Sequence, residues 1–254
     1  MADPDNKVFH STDDLGCQET PAWQDSTPMG VGRGNAAVRT VPTFDLEAEL
    51  MDRHQGPVVG IDEAGRGPWA GPVVVAAVVL NPDRIPQGLN DSKLLSAEVR
   101  EALYGEILAT ACVSVVIGHV RRIDRDNILQ ASLWGMRAAY RGLDVAAGAV
   151  LIDGNIVPKR FPNRSARAVV GGDGLSCSVA AASIVAKVTR DRMMVKLARR
   201  YRRYGWGSNK GYGTREHARA IKQYGVCTHH RRSFSPIERA LRVLEDPELA
   251  AAQD

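Results

Sequence analysis

Four acidic residues interrupt or end the most apolar segments of this sequence. They are Asp62, Glu63, Asp153 and Asp173. A carboxylate at a buried position costs free energy unless it is paired or binds a cation. Carboxylates that converge also repel one another until positive charge neutralises them, and hard oxygen ligands suit Mg²⁺ or Mn²⁺ rather than zinc. Taken together, the four acids favour a divalent metal site.

Two of these acids have an alternative explanation. Asp153 stands in DGN and Asp173 in GGDG, and because Asp-Gly is a common turn, each taken singly is explained equally well as a turn residue. A further condition applies to the adjacent pair, since neighbouring residues of a strand point to opposite faces. Asp62 and Glu63 can share a metal cluster only if the strand ends there and the backbone turns at the following Ala-Gly pair.

The elements that must position these acids alternate between strands and helices. Strands are predicted at 58–62, 72–80, 112–120, 148–153 and 166–173. Helices are predicted at 96–110, 124–142, 178–201, from 214 onward and at 235–246, with a Gly-rich loop at 205–213. Ligands bind beyond strand ends in open α/β sheets, where the acids stand. We therefore predict an α/β fold, one domain over 41–254 whose C-terminal part is helical at about 214–246.

Residues 1–40 differ in composition from the rest of the chain. They are polar, rich in Asp, Gly, Thr and Pro, and they lack hydrophobic periodicity. We predict that they form a flexible extension that is dispensable for catalysis. The alternative is a misassigned start codon.

The sequence also bears on the compartment. The opening MADPDNKVFHSTDD has neither the basic flank nor the apolar stretch of a secretory signal. The longest apolar run, Val73 to Leu80, is too short to cross a bilayer. The four cysteines stand alone, which argues against a zinc site and against a disulfide framework. We expect a cytoplasmic protein with no membrane partner.

The basic balance of the chain permits a nucleic-acid partner without requiring one. The net charge is +4 and the pI is about 9.0. Residues 198–213 interleave Arg with Tyr and Trp, a pattern that taken alone is better explained as a solvated helix end. His229 and His230, in the run HHRR, are expected at the surface or on phosphate. His217 is expected to be structural, with a secondary phosphate role left open.

The glycines after the first acids match no nucleotide-binding fingerprint. GIDEAGRG nearly matches a P-loop, but Arg66 and Gly67 replace its Lys and Ser/Thr, and GRGPWAG has the wrong spacing for a dinucleotide motif. A plain tight turn is one explanation. The other is phosphate binding, which an arginine flanked by two glycines suits well.

Five segments identify a family when they are taken together. They are GIDEAGRGPWAGPVVVAAV, LNDSKLLS, LIDGN, GGDGLSCSVAAASIVAKVTRD and SNKGYGTREH, in this order between about Val58 and Phe234. They resemble bacterial ribonuclease HII, also called type 2 ribonuclease H. The sister family ribonuclease HIII lacks the Gly-Arg-Gly turn that stands here at 65–67 and is the second choice. A non-catalytic nucleic-acid-binding module is a third, although it would need the basic stretch but not four acids.

The resemblance implies a ribonuclease H-like mixed sheet flanked by helices, with a helical C-terminal part, and it assigns roles to residues. Asp62, Glu63, Asp153 and Asp173 match the catalytic, metal-binding carboxylates. Gly65, Arg66 and Gly67 match a turn that reads the 2′-hydroxyl and a nearby phosphate, and Tyr212 matches a tyrosine that packs on the sugar at an RNA–DNA junction. Lys93, Asn155, Ser183 and Lys187 fall in family motifs that face the substrate or the site.

The reaction implied is metal-dependent hydrolysis of the RNA strand of RNA–DNA hybrids and cleavage 5′ of ribonucleotides embedded in duplex DNA. It leaves 3′-hydroxyl and 5′-phosphate ends. Two Mn²⁺ or Mg²⁺ ions would clamp the phosphodiester, so that no histidine base is needed. The expected partners are RNA–DNA hybrids and ribonucleotide-containing duplex DNA, and we expect the protein to be monomeric.

Overall fold

The structure is a computed structural model that describes residues 9–10 and 41–245. Its strands are β1 (Phe9–His10), β2 (Val58–Ala64), β3 (Val73–Val79), β4 (Cys112–Gly118), β5 (Ala149–Asp153) and β6 (Ala166–Val169). Its helices are α1 (Asp45–His54), α2 (Ala97–Thr110), α3 (Val120–Asp126), α4 (Ile128–Arg141), α5 (Cys177–Arg200), α6 (Trp206–Asn209), α7 (Arg215–Tyr224) and α8 (Ser235–Glu245). None of these helices is both long and apolar enough to span a membrane.

The strands form one mixed sheet in the order β1-β4-β3-β2-β5-β6. Strands β2, β3 and β4 pair antiparallel, whereas β5 and β6 run parallel to β2. Helices α2 and α5 pack on one face against residues such as Val74 and Ala76. Helix α4 packs on the other face against Val75 and Ala77. Because helices cover both faces, β3 reads as an unbroken apolar run, and the predicted α/β fold is confirmed.

Several element boundaries differ from the prediction, and local contacts explain the clearest cases. The predicted helix at 124–142 is two helices, because Asn127 has φ +65 and its side chain accepts a hydrogen bond from the Gln130 N–H at 3.0 Å. Asn127 thereby caps the N-terminus of α4 and separates it from α3. The predicted strand at 166–173 ends at Val169, and a 3₁₀ turn over Gly172–Gly174 follows. The predicted Gly-rich loop contains the short helix α6.

Of the predicted N-terminal extension, the structure describes only Phe9 and His10. Phe9 and His10 pair antiparallel with Val115 and Ser114 at the edge of the sheet. Residues 1–8 and 11–40 lie outside the described part of the chain, so the flexibility and dispensability of this segment stay predictions.

Helix α1, which the hydrophobic pattern does not reveal, supports the start of α5. Its Glu47 is fully buried, and its Oε1 accepts hydrogen bonds from the Ser176 hydroxyl at 2.6 Å and the Ser178 N–H at 2.7 Å. Ser176 in turn caps α5 by accepting from the Val179 N–H at 3.2 Å. A negative charge at a helix N-terminus is favourable. Helix α1 therefore packs with α5 and the sheet, and the domain boundary at residue 41 stays a prediction.

We expect Glu47→Ala to lower the free energy of unfolding by about 2–4 kcal/mol, because it removes two charge-assisted hydrogen bonds from buried donors. The loss of unfolding free energy should stay below the summed contributions of the two hydrogen bonds. The substitution also removes Glu47 Oε2, which is buried and has no hydrogen-bond partner among the described residues. Denaturant unfolding measures the change. Glu49→Ala is the matched control on the same helix: Glu49 is exposed and pairs only with Arg53, so its loss should stay within about 0.5 kcal/mol. Equal losses in both variants would contradict the role of Glu47.

Candidate active site

The four predicted acids lie at the same end of the sheet. Asp62 lies on β2, and Asp153 ends the parallel strand β5, where Ile61 pairs with Ile152. Asp173 lies in the 3₁₀ turn that follows β6, and the Gly172 N–H donates to Asp153 Oδ1 at 2.8 Å. Asp153 is the common neighbour, because its charge raises the pKa of each of the other three carboxyls.

Asp62 is the most deeply placed of these acids, with 4% of its surface exposed. Burial, followed by the charges of Glu63 and Asp153, raises its pKa well above the ordinary value. Hydrogen bonds from the Glu63 N–H and from Ser183 on α5 oppose that shift and are outweighed. Ser183 Oγ also lies 2.8 Å from Ser92 Oγ. The fold therefore holds Asp62 where its charged form is unfavourable without a cation.

Glu63 carries a carboxylate oxygen that has nothing to bind. Its Oε1 accepts from Arg66 at 3.2 Å, whereas its Oε2 is buried and has no hydrogen-bond partner among the described residues. Burial raises the pKa of Glu63, although the Arg66 guanidinium opposes the shift. A buried acceptor without a donor costs free energy, and a bound cation would remove that cost.

Lys93 joins a third side of the site, as predicted, and brings a residue that the sequence analysis missed. Its Nζ lies 3.0 Å from Asp173 Oδ2 and 3.1 Å from Asp91 Oδ1. Burial raises the pKa of Asp173 despite this ammonium, whereas hydrogen bonds from Lys93 outweigh burial and lower the pKa of Asp91. The two carboxylates likewise raise the pKa of Lys93 against burial. Asp91 stands in the family segment LNDSKLLS, and its place beside Lys93 in that segment could have pointed to it.

The expectation that β2 ends at Asp62 is wrong. Its pairing with β3 continues through Glu63 and Ala64, because the buried apolar partner strand keeps the ladder intact. Asp62 is registered with Ala76 on the α5 face and Glu63 with Val75 on the α4 face. Within residues 41–245 no three acidic, His or Cys side chains converge into a ready-made cage. The all-oxygen donors and the unpartnered Glu63 oxygen nevertheless fit a hard divalent cation.

Two buried arginines hold the Gly65-Arg66-Gly67 turn beside these acids. Arg231 donates to the carbonyls of Gly65 at 2.5 Å and Arg66 at 2.8 Å, and also to the carbonyls of the loop that follows. Gly65 has φ +95, and a Cβ there would lie 2.0 Å from Arg190 Nε. Burial lowers the pKa of Arg231 to about 9. Glycine is thus required at 65 both by backbone geometry and by the close approach of Arg190.

Tyr212 lies next to that turn, as the family resemblance implies. A Cβ built on Gly67 would be 3.7 Å from Tyr212 Cε1. The tyrosine is 45% exposed, so it is not a core aromatic. Its exposed ring and the Gly-Arg-Gly turn form one continuous surface beside the acids.

The remaining predicted site residues lie around this surface. Ser183 contacts Asp62, as described above. Lys187 follows it one helical turn later on α5 and pairs with Asp191 at 2.9 Å. Asn155 is exposed just after the end of β5.

The run HHRR and the aromatic residues between 198 and 213 are placed differently from the prediction. His230 and Arg231 are buried rather than at the surface, because their polar atoms bind backbone and ring partners inside the fold. Tyr204 and Trp206 are buried in a hydrophobic cluster with α7 and α8. These aromatics build the C-terminal part of the protein and offer no platform for stacking bases.

His217 connects that cluster to Tyr212. Its Nδ1 lies 2.9 Å from the Tyr212 carbonyl oxygen, and its Nε2 lies 3.1 Å from both Trp206 Nε1 and His230 Nε2. The Cys227 N–H donates to His230 Nδ1, so His230 carries its proton on Nε2 and donates to His217. His217 therefore donates from Nδ1 to Tyr212. Burial lowers the pKa of both rings, that of His230 to about 3, and keeps them neutral.

We predict that His217→Ala lowers kcat/KM roughly tenfold, because the Tyr212 backbone loses its donor and its ring loses a fixed position. His217→Asn keeps an N–H at the position of Nδ1 and should recover part of that loss. Both variants lose the acceptor for Trp206 and His230, so their melting temperatures should fall similarly. Equal activity of the two variants, whether high or low, would contradict the positioning of Tyr212 through His217.

Comparisons with known proteins show the family and the fold of this chain. The family model described as Ribonuclease HII matches residues 59–237. Ribonuclease HII of Azorhizobium caulinodans is 50% identical over 221 residues, covering 86% of this chain and 85% of that protein. Ribonuclease H2 from Pyrococcus horikoshii OT3 is 28% identical, with a TM-score of 0.64 over 74% of this chain and 99% of that one. Bst-RNase HIII in complex with Mn²⁺ is 21% identical, with a TM-score of 0.55 over 78% of this chain and 73% of that one, and shares the fold.

The mixed sheet, its flanking helices and these matches define an enzyme of the ribonuclease H class. The chain belongs to the ribonuclease HII family.

Proposed function

We propose that this ribonuclease H hydrolyses the RNA strand of RNA–DNA hybrids and cleaves 5′ of ribonucleotides embedded in duplex DNA by two-metal-ion catalysis. The observation that carries the proposal is the contact between the acids and the predicted sugar-reading turn. Arg66 of that turn lies 3.2 Å from Glu63, and Tyr212 lies over Gly67. A side chain that inspects one sugar thus stands beside carboxylates suited to divalent cations. Only RNA carries the 2′-hydroxyl that such a surface can test.

One set of residues would hold the cations, and another would hold the substrate. Asp62, Glu63, Asp153 and Asp173 would hold the Mn²⁺ or Mg²⁺ ions. Such ions supply activation of water and stabilisation of the departing 3′ oxygen, and the ribonuclease HIII structure with bound Mn²⁺ is consistent with this choice. Ser183 orients Asp62 and Lys93 orients Asp173. Arg66 would bind the phosphate, and the Gly-Arg-Gly backbone would bind the 2′-hydroxyl.

The alternatives are weaker on specific grounds. A ribonuclease HIII-like activity is disfavoured because the family match is to ribonuclease HII and the Gly-Arg-Gly turn is present. A silent nucleic-acid-binding module would not need unfavourable buried acids. The direct test incubates the purified protein with a duplex that carries one ribonucleotide, in Mn²⁺, Mg²⁺ or chelator, beside an all-DNA duplex. The cytoplasmic location and the monomeric state stay predictions.

Asp62→Asn and Asp153→Asn should each reduce cleavage by orders of magnitude while leaving the protein folded. In chelator, Asp62→Asn should melt at the same or a higher temperature than the wild type, because a buried negative charge near Asp153 is gone. Added Mn²⁺ should raise the melting temperature of the wild type, since a cation that binds only the folded state stabilises it. The variant should show a smaller rise.

Asp52→Asn is the matched control. Asp52 is exposed on α1, and its substitution changes the charge by the same amount. It should keep wild-type cleavage and the wild-type response to Mn²⁺. Near-normal cleavage by Asp62→Asn at saturating Mn²⁺ would remove the metal assignment.

Tyr212→Ala should lower kcat/KM at a lone ribonucleotide roughly ten- to a hundredfold, because lost stacking is worth about 1–3 kcal/mol. Its melting temperature should change little, since the ring is half-exposed. An all-RNA strand offers 2′-hydroxyls at every position, so its cleavage should fall by a different factor.

Tyr212→Phe serves as the control for Tyr212→Ala, since it keeps the ring and should retain most of the activity. Steady-state kinetics on both substrates, together with a melting curve, measure the effects. Equal losses on both substrates with a large fall in melting temperature would make Tyr212 a structural residue.

A further inference from the structure

A groove between α2 and α5 carries an excess of positive charge. Its volume is about 530 Å³. Its cationic lining consists of Arg100, Arg192, Lys196, Arg199 and Lys210, and its acidic lining consists of Glu101 and Asp191. The α5 residues at 188, 192, 195 and 199 recur at helical intervals and so form one continuous face of that helix.

The two acids of this groove are already neutralised by neighbouring cations. Glu101 pairs with Arg192 across the groove, and Asp191 pairs with Lys187 at 2.9 Å. Lys196 and Arg199 are exposed, and their side chains have no hydrogen bond or ion pair within residues 41–245. The charge that remains available to a ligand is therefore positive.

The groove shares its supporting elements with the candidate active site. Lys210 stands two residues before Tyr212, and its carbonyl accepts from Arg190 at 3.1 Å, the arginine that packs against Gly65. On the α2 side, Arg100 donates to the Ser92 carbonyl at 2.7 Å, next to Lys93. The groove walls and the site are thus built on the same loops and the same helix.

We propose that this groove binds the phosphodiester backbone of the duplex arm that extends from the cleaved junction. The inference rests on the proposed function and deepens it. From Lys187 at the site to Arg199, α5 rises by about 18 Å. At about 3.4 Å per base pair, this length corresponds to roughly five base pairs beyond the junction. Neighbouring phosphates of one strand suit the geometry because the two unpaired cations, Lys196 and Arg199, lie one helical turn apart on the lining of the groove.

The test uses Lys196→Gln/Arg199→Gln in the full chain. Substrates are duplexes with one ribonucleotide and either two long arms of about twelve base pairs or one arm cut to about two, on each side in turn. Each phosphate contact contributes about 0.9 to the slope of log affinity against log salt. Between 50 and 200 mM salt, the salt-induced rise in KM on the long duplex should therefore be about tenfold smaller for the variant than for the wild type. At 50 mM salt, the ratio of the variant KM to the wild-type KM should be about tenfold larger on the long duplex than on one of the shortened duplexes. That duplex is the one whose short arm leaves the groove empty.

The matched control is Arg84→Gln/Arg141→Gln, which removes the same charge. Both residues are exposed, and they lie at the opposite end of the sheet from the acids. This control should keep the wild-type salt dependence on every duplex, and melting curves verify that both double variants fold. Equal KM changes on long and short duplexes, or a Lys196→Gln/Arg199→Gln variant that matches the Arg84→Gln/Arg141→Gln control, would overturn the groove proposal. A wild-type protein that cleaves none of the duplexes would instead refute the proposed function.

Discussion

The close approach of α5 to β2 is the constraint on which the rest of the structure depends. Gly60 has no side chain, and a Cβ there would lie 2.1 Å from the Ser178 carbonyl carbon. Because the helix lies this near, Ser183 reaches Asp62 and Arg190 reaches the loop after β2. A side chain at position 60 would push α5 away and displace the acids and the Gly65-Arg66-Gly67 turn together.

The same packing buries several carboxylates close to one another, so that their charged forms are unfavourable unless a cation is bound. Burial raises the pKa of Asp62, Glu63 and Asp173, and Asp153 adds to each shift. Lys93 and Arg66 each offset part of this repulsion. Sites that are unfavourable by themselves and favourable with a ligand are expected where a protein trades stability for function. The cluster is thus better suited to attracting cations than to stabilising the fold.

The C-terminal part supports the turn at Gly65 and the loop that carries Tyr212. Arg231 binds carbonyls of the Gly65 turn more than 150 residues earlier in the chain, and His217 binds the Tyr212 carbonyl. Sequence patterns suggested surface positions for HHRR, because cations and histidines are usually exposed. Their burial depends on backbone acceptors contributed by a distant loop, and no local periodicity reports such acceptors.

The sequence by itself determined most strands and helices, and its motifs singled out the four acids and Tyr212. These follow from local periodicity, from turn chemistry and from motifs that each lie within one segment. Only the tertiary structure decided that β2 runs on through Glu63, that Asp91 shares Lys93 with Asp173, and that Glu47 of α1 holds the start of α5. The physical reason is that burial, desolvation and hydrogen-bond partners are properties of residues brought together by packing, and their separation in sequence carries no signal of that contact.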